Sequence, residues 1–340
     1  MSRRVEANYL IMFLRMVLAG ALCAAAAAAA DEFPQASISN GRIEARLYLP
    51  DAARGYYRAT RFDWSGVIYS LRYAGHEYFG QWFPRYDPKI HDAITGPVEE
   101  FLPEGGLGYD EAAAGGTFIR IGVGLLRKPQ EQNYGRFRTY EIVDPGKWTV
   151  RRKRDRVEFV HKIASSSGYA YVYGKTVRLV KNEPRMVLEH TLKNTGRRPI
   201  EFDVYDHNFV MIDHRPIGPG VTIKFPFDAR PATPFKDNAK LADGELVYTR
   251  ELRPRESVFS ELTGYGPTPA DYDFRIENRQ SRAGVRIRGD KPVSHLVFWS
   301  IDKVACPEPY VRLRVEPGGT AGWKISYDFY TMPAPESTKQ

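Results

Sequence analysis

Two stretches hold the side chains best suited to moving protons. In "EFDVYDHNFVMIDHRP", Glu201 to Pro216, the pairs Asp206–His207 and Asp213–His214 interrupt a strongly apolar run. In "ACPEPY", Ala305 to Tyr310, Glu308 stands between Pro307 and Pro309 and close to Cys306. An imidazole and a carboxylate are the ordinary parts of general acid–base chemistry, each contributing about 10²–10⁴-fold in rate. The prolines fix the backbone around Glu308, and an apolar setting would raise its pKa toward neutrality. Strand alternation sets Asp206 and His207 on opposite faces, with His207 beside Tyr205 and Phe209. Plainer readings stand next to these: Glu308 as an exposed loop residue, His207 as a core histidine bonded to backbone. Asp213 and His214 belong to the turn that leads into "RPIGPG".

Other polar residues form a second tier. Arg61 and Asp63 flank Phe62 and precede Trp64 in "ATRFDWSG", a polar-ligand-holding set or a strand with an ion pair and a core tryptophan. A long loop-rich region from Gln81 to Gly116 carries Trp82, Tyr86, His91, Asp92, Glu99, Glu100 and Glu104. Such stretches inside β domains tend to be functional. Trp82 and Tyr109 are possible stacking surfaces, although many aromatics in a β protein are core. His76 reads as a hairpin-turn residue. His161, His190 and His295 read as ordinary strand residues.

The elements that must position these groups are strands. "RIEARLYLP", "YAYVYGKTVRLVK", "PRMVLEHTLKN", "PIEFDVYDHNFVMI", "YVRLRVEP" and "WKISYDFYT" alternate or are rich in β-branched and aromatic residues. "KNEP", "KNTGRRP", "IGPG" and "EPGG" supply the turns between such runs. No long helical period appears, and "YDEAAAGG" offers one turn at best. The expectation is an all-β antiparallel sandwich in one domain spanning residues 31–340.

Composition narrows the setting. The 340 residues are 43% hydrophobic and 13% aromatic, a globular balance. Residues 1–30 read as a secretory signal: Arg3, Arg4 and Arg15, then "MVLAGALCAAAAAAA" ending in small residues before "DEFP". The apolar run is too short for a confident membrane span, so no stable membrane insertion is expected after cleavage. Export to the periplasm or exterior follows. Cleavage removes three arginines and one glutamate, taking the formal charge from +8 to +6. The densest basic run, "RRKRDR" from Arg151 to Arg156, reads as a solvated hairpin, with a polyanion patch as the alternative. No nucleic-acid motif accompanies it. Cys306 is the one cysteine left after residue 30, so no internal disulfide forms there.

Three segments together resemble the galactose mutarotase-like superfamily, which includes the aldose 1-epimerases. "LEHTLKNTGRRPIEFDVYDHNFVMID" is similar to the family's central strand pair, with Asp206-His207-Asn208-Phe209 at its histidine motif. "ACPEPYVRLRVEPGGTAGWKISYDFY" is similar to its C-terminal pattern, with Glu308 at the catalytic glutamate. "EYFGQW" followed by "GPVEEF" falls where the family has Y-F-G and G-R-x-x-N-R-I segments. The resemblance covers about residues 36–332. It departs at Glu99 and Glu100, where the family has Asn-Arg, and at Glu104, where it has a histidine.

The resemblance implies an antiparallel β-supersandwich with a carbohydrate cleft and the chemistry of a mutarotase, and the signal segment makes it an exported one. A base takes the proton of the anomeric hydroxyl, an acid protonates the ring oxygen, and the ring opens and recloses on the other face. Glu308 is then the expected base and His207 the expected acid. Arg61, Asp63, His91, Glu100 and Asp206 are the expected substrate contacts. Neither a metal nor a redox cofactor is required. The departures imply an altered substrate or a lost activity, so a non-catalytic carbohydrate-binding protein of the same fold is the alternative. A polysaccharide lyase or hydrolase is a third reading; a lyase would need a Tyr or His base with a charge-neutralising group, usually beside a second catalytic domain.

Overall fold

The computed structural model describes residues 33–103 and 105–333. The expected signal segment and Glu104 lie outside these residues. Four antiparallel sheets of ten, six, four and three strands account for the architecture. Among the described residues the one helical element is the 3-10 turn Pro269–Asp271, and no helix is long and apolar enough to cross a membrane.

The ten-stranded sheet is built on sequences whose period is two. Ala170–Leu179 buries every second residue along its length, as does most of Arg156–Ala164. Alternation of this kind commits one face of a strand to the core and fixes its register. The strand Lys147–Arg152 closes one edge of this sheet, and exposed Arg151, Arg152 and Lys153 lie there. Cationic side chains at an edge discourage pairing with another chain, so the basic run is part of a solvated hairpin.

The six-stranded sheet carries the site. Its central strands are Ser257–Thr263, His295–Ile301, Ala305–Val315 and Ile200–His207, and Val98–Leu102 lies at one edge. One face packs against the ten-stranded sheet. Phe202 meets Trp323 at 5.8 Å between ring centroids, and Phe101 meets Tyr173 at 5.5 Å. The apolar core so formed runs from Ala36 to Phe329.

Val98–Leu102 differs from the loop expected between Gln81 and Gly116. Glu99 and Glu100 break the apolar pattern that marks a buried strand, yet both are fully buried and paired in register with Asp206 and Tyr205. Ion pairing, described below, makes that burial tolerable.

Candidate active site

Strand parity sorts the residues of the six-stranded sheet into two sets. Tyr205, His207, Glu308, Tyr310, His295, Val297 and Trp299 point away from the core. In register, Val297 faces Glu308, His295 and Tyr205 face Tyr310, and Glu100 faces Tyr205. This outer face is the floor of a cleft of about 490 Å³, which Arg61, His91, Asp92, Arg136 and Phe137 wall from the loops.

His207 and Glu308 meet on that floor. Nε2 of His207 lies 3.1 Å from Oε1 of Glu308, and the residues are only 4% and 5% exposed. The imidazole stacks flat on Phe209 at 3.8 Å and takes the edge of Trp299 at 5.2 Å. Its Nδ1 is buried without a hydrogen-bond partner among the described residues. Phe209 itself adopts φ of +42°, an unfavourable conformation for a bulky residue. Asn208 holds this bend: its Nδ2 donates to Pro307 O at 2.7 Å, and its Oδ1 accepts from the Tyr327 hydroxyl at 2.8 Å.

Burial sets the protonation of the pair. It pushes the Glu308 carboxyl up to about 8, against the pull of Arg61 and Arg136. It pushes the His207 imidazole well below the ordinary histidine value, and Arg61 adds to that effect. At neutral pH the pair therefore holds one exchangeable proton, on Glu308, beside a neutral imidazole. The electrostatics thus favour the reverse of the expected roles, because desolvation penalises a carboxylate and an imidazolium alike.

On the same outer face but fully buried, Glu100 organises the cations. Its carboxylate accepts from Arg61 Nε at 2.9 Å, from Arg136 at 2.9 and 3.0 Å, and from the Tyr205 hydroxyl. Burial alone would raise its pKa, but Arg61 and Arg136 hold it far below the carboxylate range. Glu100 does not line the cleft, so the expected substrate contact is corrected to a support that presents Arg61 and Arg136. The acidic residue at this place fits because its arginines come from elsewhere in the chain.

Two further expected contacts are also corrected. Asp206 projects from the opposite face of its strand and is fully buried, accepting from Tyr327 at 2.9 Å. Burial raises its pKa, with Glu99 adding to the rise. Asp63 is 1% exposed and accepts from the Ser65 backbone at 3.0 Å, the Ser65 hydroxyl and the Tyr173 hydroxyl at 3.1 Å. Neither reaches the cleft. Both border a buried cluster in which Glu99 pairs with Lys175 and, at 2.7 Å, with His190. This cluster ties Val98–Leu102 to the ten-stranded sheet.

The remaining candidates divide. Arg61 and His91 line the cleft, as does Trp82. Tyr109 instead bonds Glu131 and packs on Phe118. His76 pairs with Asp213 at 2.8 Å. His161 and His190 are strand residues turned inward, whereas His295, also in a strand, faces the cleft. Arg136 was not expected. Its signal is the loop run Gly135-Arg136-Phe137-Arg138, where cations alternate with an aromatic. Among the described residues no group of histidine, cysteine and acidic side chains is arranged to hold a metal ion.

The antiparallel sheets form the sandwich fold of galactose mutarotase-like structures. Solved structures of that kind superpose over most of the chain. A galactose mutarotase related enzyme from Lactobacillus acidophilus matches with a TM-score of 0.51 at 14% identity, covering 88% of this chain and 98% of its own. An aldose epimerase homologue from C. elegans gives 0.50 at 13% identity, covering 88% and 99%. A protein from Synechocystis gives 0.53 at 14% identity, covering 88% and 97%. At this identity the likeness establishes the fold. No family model matches the chain, and no curated protein matches it in sequence.

Proposed function

We propose that the protein is an exported carbohydrate-active enzyme that interconverts sugar anomers by acid–base catalysis at His207 and Glu308. The observation that carries this reading is the 3.1 Å approach of the two side chains on the floor of the cleft. The anomeric hydroxyl and the ring oxygen of a pyranose hang from the same carbon. Two adjacent groups can therefore address both oxygens at once. His207 accepts the proton of the anomeric hydroxyl while Glu308 donates its proton to the ring oxygen, and the ring bond breaks. The aldehyde turns, and the transfers run backwards on the other face. The pair ends with the proton count it began with. Arg61 and Arg136, fixed by Glu100, offer donors to the sugar hydroxyls.

A carbohydrate-binding protein without turnover is the second reading, favoured by the low exposure of the two residues. Protein lacking residues 1–30, mixed with pure α-anomers of several aldoses and followed by polarimetry or proton NMR, separates the two. Acceleration over buffer supports the enzyme. Sugar binding with no acceleration for any aldose would sink it.

A further inference from the structure

Large apolar side chains are seldom left in water without a use, and a patch of them at a cleft mouth marks a contact surface. Among the described residues three are exposed: Phe137 at 61%, Phe259 at 58% and Val143 at 41%. Two of the three, Phe137 and Phe259, line the cleft that holds His207 and Glu308. They come from different elements. Phe259 lies on Ser257–Thr263, in register with Trp299. Phe137 comes from the loop after Gly124–Arg127 and is backed by His91 at 4.9 Å and the Arg61 guanidinium at 5.2 Å.

A cavity of about 490 Å³ exceeds what one pyranose ring fills and falls within the range of clefts that hold larger ligands. His207 and Glu308 are buried parts of the cleft lining, whereas Phe137 and Phe259 are its exposed apolar side chains. The apolar C–H face of a pyranose matches an exposed aromatic ring, which is large, flat and low in conformational entropy.

We propose that the cleft takes an oligosaccharide, its reducing-end ring on His207 and Glu308 and its neighbouring rings stacked on Phe137 and Phe259. This inference rests on the reading of the cleft as a sugar site. The phenylalanines supply affinity for chain length, not chemistry. Trp299, beside Phe259, extends the same apolar surface down toward the floor.

Calorimetric titration of the protein lacking residues 1–30 tests this with glucose, galactose and mannose and with their β-1,4-linked trisaccharides. At least one trisaccharide is expected to bind tenfold or more tighter than its monosaccharide. Phe137→Ala and Phe259→Ala are each expected to lose several-fold of that gain, read as the ratio of trisaccharide to monosaccharide affinity, with the parent's circular dichroism. Equal affinities for monosaccharides and trisaccharides would overturn the inference and leave the sugar site standing. A length gain that survives both substitutions would also overturn it. Binding of no sugar at all would overturn the sugar site and the inference together.

Discussion

Asp206 and His207 are neighbours in the chain and occupy opposite sides of one sheet: His207 touches Glu308 in the cleft, and Asp206 accepts from Tyr327 in the core. The same division separates Glu99, paired with Lys175, from Glu100, paired with Arg61 and Arg136. A single step of backbone thus moves a residue from the cleft side of the sheet to its core side.

Removing either member of the floor pair should abolish most of any anomerase activity. His207→Asn and Glu308→Gln are each expected to lower kcat/KM by about 10²–10⁴-fold, measured by polarimetry. Asp206→Asn should leave KM near the parent value, since its side chain does not reach the cleft.

Activity should fall as pH rises through about 8, where Glu308 loses the proton it must donate. The acid limb should appear below 6.5, because burial depresses the His207 pKa. A kcat/KM profile extended as far to the acid side as the fold tolerates, and up to pH 9, checks both limbs as macroscopic values of the pair. A flat profile above pH 8 would refute Glu308 as the proton donor.

Glu308 also makes stability depend on pH. Its folded pKa, about 8, exceeds the ordinary value of 4.5. Between these values the unfolded chain has released a proton that the folded chain retains, so stability declines as pH rises. The whole decline is on the order of 3–5 kcal/mol. Glu308→Gln lacks this term. Its advantage over the parent in urea unfolding should therefore grow steadily from pH 5 to pH 8.

Lys175→Met should destabilise the fold by about 3–5 kcal/mol, because it leaves Glu99 buried without its main partner. Adding Glu99→Gln should recover part of that loss. A double-variant loss equal to the sum of the separate Lys175→Met and Glu99→Gln losses, measured by urea unfolding, would show that the pair is not coupled.

Glu100→Gln should weaken sugar binding more than it slows the chemistry. It removes the carboxylate that Arg61 and Arg136 share, so both guanidiniums lose their fixed position. A rise in KM larger than the fall in kcat is the expected outcome.

The strands were legible because alternation and turn chemistry are local. Ala170–Leu179 and Arg156–Ala164 show their period of two directly in the sequence. His207 and Glu308 stood out as titratable residues in apolar settings, and the resemblance joined them across about a hundred positions. Val98–Leu102 was not legible, because its two glutamates are tolerated only through Lys175, His190, Arg61 and Arg136, all distant in sequence. Asp63 and Asp206 were misplaced for a related reason. A buried carboxylate and a ligand-binding one look alike until the hydroxyl of Tyr173 or Tyr327 is seen to reach it. Arg136 was overlooked because a loop arginine gains meaning only from the carboxylate that orients it.

The alternation along Ser257–Thr263 and His295–Ile301 has a practical consequence for protein engineering. Phe259, Glu261, His295, Val297 and Trp299 form one side of the cleft, whereas Val258, Ser260, Leu296 and Phe298 belong to the interior. Ligand preference can be diversified at the first set while the second is held constant. A combinatorial library confined to every other position would explore new recognition surfaces without spending the scaffold's folding stability.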